Sequence, residues 1–367
     1  MADIGIGIIG GGYMGKAHSV AMASVAAVFD TPLRPRLEMI AATSPQSAEK
    51  YRHAYGFKRG TADWRELVAD PAVEAVVIAS PQATHREIAF AAIEHGKHVL
   101  CEKPLGESLE DSAAMVAAAE KSGVANMVGF NYIRTPASQY ARKLIADGLI
   151  GDVTWFRGEH SEDFLADPAA PANWRTETEA AGCLGDLAPH MVNAARALLG
   201  PIAEVMADRK TVHAQRGGVA VKNDDQAQML VTFESGVQGH LYFSRTHHGR
   251  KMGYIYEVVG TKGALRFNQE DQNALELYLA DGPEAERGYR KILTGPAHPD
   301  YAPFCQGPGH GTGYNDTIII EAKDFLTAIH TGEPVWPTFR EGHEVNRIIA
   351  AARASESGRR WVNVSEI

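Results

Sequence analysis

Cysteine is nearly absent: Cys101, Cys183 and Cys305 are the three in 367 positions, with no paired spacing. Neither a disulfide framework nor a thiolate metal site is indicated, and a reducing compartment, hence a cytoplasmic location, is expected. An excess of positive charge is missing too. Thirty-six basic against 45 acidic residues give a formal charge of −9, with no run of like charges, so nucleic acid and anionic membrane are not expected partners. No apolar run approaches the ~20 residues that a membrane span needs, and no export leader is expected. Internal repeats and low-complexity tracts are also lacking. What is present, an apolar fraction of 45% over 367 residues, suffices for about two domains with sizeable cores.

The most informative stretch runs from Ile4 to His18. An apolar run of strand length, Ile4 to Ile9, passes directly into Gly10-x-Gly12-x-x-Gly15, and helical composition follows. In a dinucleotide site each glycine does something mechanical. Gly10 permits the turn, Gly12 lets backbone N–H groups approach a pyrophosphate, and Gly15 lets helix pack closely on strand. The phosphates then sit on a helix N-terminus, where unpaired N–H groups and the macrodipole favour negative charge. Three adjacent glycines could also form a mere flexible turn, but the preceding strand and following helix favour the nucleotide reading.

Strands and helices then alternate for about 130 residues at the spacing of βαβ units. Strands are expected at 37–43, 73–79, 97–101 and 124–128. Between them lie a loop containing Pro32 and Pro35, a helix from Gln46 to Tyr55 closed by Gly56, and one from Ser108 to Ser122 stopped by Gly123. Thr84 and Glu87 have the spacing of a capping box. The pattern predicts a doubly wound parallel sheet over residues 1–127. From 128 to 316 period-2 segments with short turns, such as Glu234-Ser235-Gly236, predict a second, α+β domain with a large, open, mostly antiparallel sheet. A glycine- and proline-rich stretch, 282–313, reads as a long loop. Residues 317–367 return to helical patterning and are expected to pack back towards the nucleotide domain.

Three groups fall at strand ends or helix starts, where such folds place their sites: Ser80-Pro81-Gln82-Ala83-Thr84-His85, Cys101-Glu102-Lys103-Pro104, and Gly182-Cys183-Leu184-Gly185-Asp186-Leu187-Ala188-Pro189-His190. Asp186 and His190, four apart, would share one face of a helix. They could be an exposed pair, or begin a metal site, but no third ligand has suggestive spacing and no metal is expected.

These motifs in this order, together with Gly129-Phe130-Asn131-Tyr132-x-Arg134, resemble the Gfo/Idh/MocA family of oxidoreductases, and the resemblance covers nearly the whole chain. Within it, residues 164–175, Thr294 to Pro299 and Gly311-x-Gly313-Tyr314 are most similar to levoglucosan-type sugar dehydrogenases. The resemblance implies hydride transfer between a secondary hydroxyl of a sugar or cyclitol and a nicotinamide cofactor. It places Lys103, Asp186 and His190 at catalytic positions. Gly10, Gly12, Tyr13, Met14, Gly15, Ser44, Ser80, Pro81, His85, Glu102, Lys103 and Asn131 are expected at the cofactor. Lys103, Tyr132, Arg134, Trp174, Arg175, Asp186, His190 and Tyr314 are expected at the substrate. It also implies a cis Lys103–Pro104 peptide.

Physically, the reaction needs a base for the hydroxyl proton while hydride leaves the same carbon. Asp186 is assigned chiefly to orienting, His190 to the hydroxyl as base or relay, and Lys103 to sharing or passing the proton; which of the last two acts first is open. The second strand ends Ala41-Ala42-Thr43-Ser44, without the carboxylate that usually accepts from the ribose hydroxyls of NAD. No adjacent arginine is placed for a 2′-phosphate either, although Lys50 or Arg52 could swing over. NAD is expected, with NADP as the alternative. Competing functions are a glycosidase that oxidises and re-reduces its sugar through bound NAD, and a non-catalytic cofactor-binding regulator. The open sheet and the resemblance imply a homodimer or homotetramer.

Overall fold

The computed structural model describes residues 2–178 and 181–367, apart from the Trp174 side chain. It divides into two compact units, Met1–Arg134 with Gly313–Asn346, and Thr135–Thr312 with Arg347–Ile367.

The first unit opens with β1 (Ala2–Ile9), α1 (Tyr13–Val28), β2 (Leu33–Ala41), α2 (Pro45–Tyr55), β3 (Arg59–Thr61), α3 (Trp64–Ala69), β4 (Ala75–Ile78), α4 (His85–Glu94), β5 (His98–Glu102), α5 (Leu109–Ser122) and β6 (Asn126–Gly129). All six strands are parallel, in the order β3-β2-β1-β4-β5-β6. Ile6, Ile8, Val76, Val77 and Leu100 are fully buried, as expected of a sheet covered on both faces. The chain leaves β1 on one side and reaches β4 on the other, so the connections diverge between these neighbours and open a crevice at their carboxyl ends.

Local signals largely fix the helices. Ser108 caps α5 in a reciprocal box with Asp111, and Gly123 ends it in the left-handed conformation (φ 71°). Gly56 ends α2 likewise, with φ 81°. Two expectations fail. The Thr84 hydroxyl makes no cap bond and instead donates to the Pro81 carbonyl, while Glu87 pairs with Arg65. Strand β2 starts earlier than expected and runs through Pro35, tolerated because β3 joins only from Met39 and leaves that stretch an edge.

The second unit follows with α6 (Pro136–Ala146), β7 (Val153–Ser161), α7 (Trp174–Glu177), α8 (Cys183–Asp186), α9 (Ala188–Leu199), β8 (Ile202–Lys210), the hairpin β9 (Gln215–Arg216) and β10 (Val219–Ala220), then β11 (Gln226–Phe233), β12 (Gln238–Ser244), β13 (Gly253–Gly260), β14 (Gly263–Asn268), β15 (Ala274–Leu279) and β16 (Arg290–Leu293). A nine-stranded sheet has the order β16-β15-β14-β13-β7-β12-β11-β8-β17, where β17 is Val362–Asn363. Among its neighbours only β7 and β12 are parallel. Strand β16 lies inside the stretch expected to be wholly loop. One face is apolar: Ala227, Met229, Val231 and Phe233 of β11 are all buried, whereas Gln228 and Leu230 between them are exposed. Helix α9 packs against β7 and α6 against β14 and β15.

The chain ends with α10 (Tyr314–Thr331) and α11 (Phe339–Gly358). Helix α10 packs on α1 within the first unit.

Candidate active site

In the first unit the glycine loop is shaped by what has no room for a side chain. Gly10 has φ 103°, and a Cβ there would lie 2.5 Å from the Ala79 carbonyl oxygen. A Cβ on Gly15 would lie 1.9 Å from the Gly10 carbonyl oxygen, and one on Gly11 would enter the Tyr51 ring. Gly12 differs: nothing lies within 4 Å of its Cβ position, and it is the N-cap of α1 with no side chain bonded to the helix amides. Uncapped N–H groups facing open space are what a pyrophosphate requires, so this cradle fits a dinucleotide.

The Lys103–Pro104 peptide is cis, as the resemblance implied. His85 ties this turn to the neighbouring loop: its Nδ1 lies 3.0 Å from the Pro104 carbonyl oxygen and its Nε2 3.0 Å from that of Ser80. Burial holds the imidazole below its usual pKa against the pull of those two carbonyls. Both ring nitrogens face backbone, so His85 joins the Lys103 turn to the loop after β4. Ser80 shares a 2.7 Å hydrogen bond with Thr84, Pro81 is exposed beside it, and Gln82 donates to the Gly106 carbonyl.

Behind Lys103 lies a buried charge cluster that the sequence pattern did not reveal. His18 Nε2 lies 2.8 Å from Glu102 Oε1, and the Lys103 N–H donates to Glu102 Oε2 at 3.2 Å. Burial opposes the charged form of His18, but the Glu102 carboxylate outweighs it and raises the pKa. Glu321 of α10 is fully buried, and burial lifts its carboxyl to about 7 despite Arg134 nearby. Arg134 is expected at the substrate by resemblance, and the structure places it inside the first unit. It is 3% exposed and donates to Asp324 Oδ2 and to the Phe130 and Trp336 carbonyls. A guanidinium engaged on all sides within the unit is a structural clamp. Asn131 is also buried, donating to Thr317. Tyr314, at the start of α10, gathers Tyr13 and Tyr132 around it, ring centroids 5.9 and 6.1 Å away, and its hydroxyl faces Met14 Sδ at 3.5 Å. Tyr314 therefore stands beside the glycine loop.

At the end of β2, Ser44 caps α2 in a reciprocal box with Ser47. Arg52, a candidate for a 2′-phosphate, is instead bidentate to Glu49 at 2.7 Å for both bonds, and Lys50 lies over the Tyr51 ring. No cation is positioned in that loop among the described residues, which favours NAD over NADP.

In the second unit, Asp186 and His190 do not share one unbroken helix. Asp186 ends α8 and His190 lies in α9, with Leu187 between. Pro189 is the cause, since it has no N–H to give the Gly185 carbonyl. Arg175 Nε donates to Asp186 Oδ2 at 3.3 Å, and its guanidinium lies 5.7 Å from the centre of the Phe164 ring. His190 is buried, its ring 5.6 Å from that of His160, which lies 2.9 Å through Nδ1 from the Leu187 carbonyl. The Trp174 side chain lies outside the described residues. Among the described residues no group of three or more His, Cys, Asp or Glu could hold a metal ion.

A profile described as an oxidoreductase family with an NAD-binding Rossmann fold matches residues 4–130. One described as the GFO/IDH/MocA C-terminal domain matches residues 138–266. A levoglucosan dehydrogenase from Pseudarthrobacter phenanthrenivorans is 38% identical, with 100% of both chains covered. The chain belongs to the Gfo/Idh/MocA family of oxidoreductases. A second relative in that family, an inositol 2-dehydrogenase from Rhizobium meliloti, is 27% identical over 98% of each chain. Among solved structures, a levoglucosan dehydrogenase in complex with NADH and L-sorbose has a TM-score of 0.96 at 39% identity, covering 99% of both chains.

Proposed function

We propose that this Gfo/Idh/MocA oxidoreductase is an NAD-dependent dehydrogenase of a secondary hydroxyl on a sugar or cyclitol, with anhydropyranoses of the levoglucosan kind as the leading class. The full-length match to a levoglucosan dehydrogenase carries this reading, and it is supported by the open, uncapped N-terminus of α1 at Gly12.

NAD, when bound, supplies a hydride acceptor at its nicotinamide ring. The chain's own residues handle the proton that must leave the same alcohol. Lys103 is the first unit's candidate for that proton and His190 the second unit's, and Asp186, tethered by Arg175, orients the hydroxyl. Tyr132 and Tyr314 supply phenol groups to sugar hydroxyls, and Arg175 is a solvent-facing donor, its side chain 40% exposed. Burial pushes the Tyr314 phenol far above its usual range, so it stays a neutral donor.

A second copy of the chain covers the open face of the large sheet, giving a homodimer or a homotetramer. Trp155 and Leu230 support this, since they stand 37% and 49% exposed on that face. Among the described residues no helix is long and apolar enough to cross a membrane, and the three free cysteines fit a cytoplasmic setting.

The test is the near-ultraviolet absorbance of NADH during incubation with NAD or NADP and a panel of anhydrosugars, aldoses, glycosides and inositols. NADH formation with one member of the panel supports the reading. Cleavage of a glycoside without net NADH, or no reaction across the panel, overturns it.

A further inference from the structure

Three consecutive residues before β11, and one just after β12, hold the segment that leads to Asp186 in the second unit. Asn223 donates through Nδ2 to the carbonyls of Arg175 (2.7 Å) and Thr178 (2.6 Å). Arg245 donates through one nitrogen to the same Arg175 carbonyl at 2.6 Å and to that of Ala181 at 3.2 Å, and through another to Asn223 Oδ1. Asp225 locks Arg245 in place, accepting from its Nε at 2.9 Å. Arg245 is 1% and Asp225 0% exposed, so this ion pair is fully desolvated, and its donors have fixed partners.

Asp224 grips the other end. Its Oδ2 accepts from the Leu184 N–H at 2.8 Å and from the Cys183 thiol at 2.9 Å, and its carbonyl accepts from the Cys183 N–H at 3.0 Å. Helix α8 has Gly182 as N-cap and no cap from its own side chains. Asp224 supplies that cap from elsewhere in the fold, and Gly182 is required because a Cβ there would lie 2.2 Å from Asp224 Oδ1. The two ends of the held segment then meet through the Arg175–Asp186 pair.

The geometry points to Asn223 and Arg245 as positioning residues that set Arg175, and through it Asp186, for sugar binding. This rests on the reading of Arg175 and Asp186 as substrate-facing groups. Neither Asn223 nor Arg245 needs to touch the sugar: they fix the main chain from which the Arg175 guanidinium extends. Loss of the Asn223 amide removes one of the two side-chain donors given for the Arg175 carbonyl and the acceptor that Asn223 offers Arg245, so the arginine's start point loosens while the sheet beneath keeps its register.

The experiment is steady-state kinetics with levoglucosan and NAD on Asn223→Ala, Arg175→Ala and the double variant, alongside NAD affinity and melting temperature. Asn223→Ala is expected to raise the sugar KM about tenfold, the cost of one to two hydrogen bonds, with kcat within about threefold and NAD affinity unchanged. The double variant is expected to be no worse than Arg175→Ala, because Asn223 acts through Arg175. Asn223→Ser, which keeps one donor, is expected to fall between wild type and alanine, and it carries the same measurement if the alanine variant folds poorly. An unchanged KM in both Asn223 variants, or a fall in kcat that only tracks the folded fraction, overturns the positioning role. If Arg175→Ala itself leaves KM unchanged, the substrate-facing reading fails instead.

Discussion

The N-terminal ends of α1 in the first unit and of α8 in the second are completed by opposite means. At Gly12 the surroundings are bare backbone, with no neighbour within 4 Å of the missing Cβ and no capping side chain. At α8 the corresponding end is capped by a carboxylate delivered from a residue 40 positions along the chain. The first arrangement leaves room for an anionic ligand to complete the helix end; the second completes it internally, and so leaves the helix able to present Asp186. A helix N-terminus is thus left open in one unit and made a mounting point in the other, and side-chain occupancy decides which.

The comparison is broken most severely by removing a proposed reacting group. Lys103→Met keeps the length of the side chain and has no exchangeable proton; turnover is expected to fall about 10²–10⁴-fold with NAD affinity preserved. Wild-type turnover in that variant, measured beside an NADH titration, would remove Lys103 from the chemistry. Next in size is Arg134→Met. It leaves buried Glu321 without the guanidinium beside it, takes one of two cations from half-buried Asp324, which keeps Lys323, and strips the Phe130 and Trp336 carbonyls of a donor; about 1–3 kcal/mol of stability is expected to go, with the sugar KM of the surviving protein unmoved. A raised KM at unchanged melting temperature would return Arg134 to the substrate.

Gly12→Ala sharpens the contrast, because it meets no protein atom. It is expected to leave the melting temperature within about a degree and weaken NAD binding about ten- to a hundredfold, since a methyl group of overpacking costs about 1–3 kcal/mol where the ligand must sit. Gly15→Ala, which strikes the Gly10 carbonyl, is expected to lower both. Equal effects of the two on melting temperature would show that Gly12 is not open in solution.

The smallest effect is a pH slope. Glu321 is held protonated in the fold up to about pH 7, above its value in the unfolded chain. The folded state therefore binds the extra proton between about pH 4.5 and 7, and stability from this group is lost as pH rises through that window. Glu321→Gln removes the dependence, so its unfolding free energy is expected to gain on wild type by about 1 kcal/mol or more between pH 5 and 8. A constant difference across that range would mean that the carboxyl is ionised throughout.

Much of the local chemistry carried by neighbours in sequence was readable in advance, although the Thr84–Glu87 capping box was not formed. The spacing of Gly10, Gly12 and Gly15 and the ends of α2 at Gly56 and of α5 at Gly123 depend on backbone conformations or close approaches that few residue types allow. The parallel pairing of β7 with β12 was not readable, because strand order comes from contacts distant in sequence. Nor was the burial of Arg134, which sits in a family motif yet is fixed by α10 almost 200 positions later. Asn223, Asp224 and Asp225 look like an ordinary polar turn until Arg245 and the Arg175 carbonyl arrive beside them. The break between α8 and α9 could have been anticipated from Pro189, which the four-residue spacing of Asp186 and His190 obscured.

The return of α10 to the first unit bears on how the protein is made. Its Ile318, Ile320, Ala322, Phe325 and Leu326 are buried, and Thr317 and Asp324 bind Asn131 and Arg134. While a ribosome is still translating the second unit, the nucleotide-binding unit lacks this helix and keeps Arg134 without its carboxylates. The nucleotide-binding unit is therefore complete only once α10 has been made, and a polypeptide released after Arg134 would show the flank of α1 as an adhesive surface to chaperones.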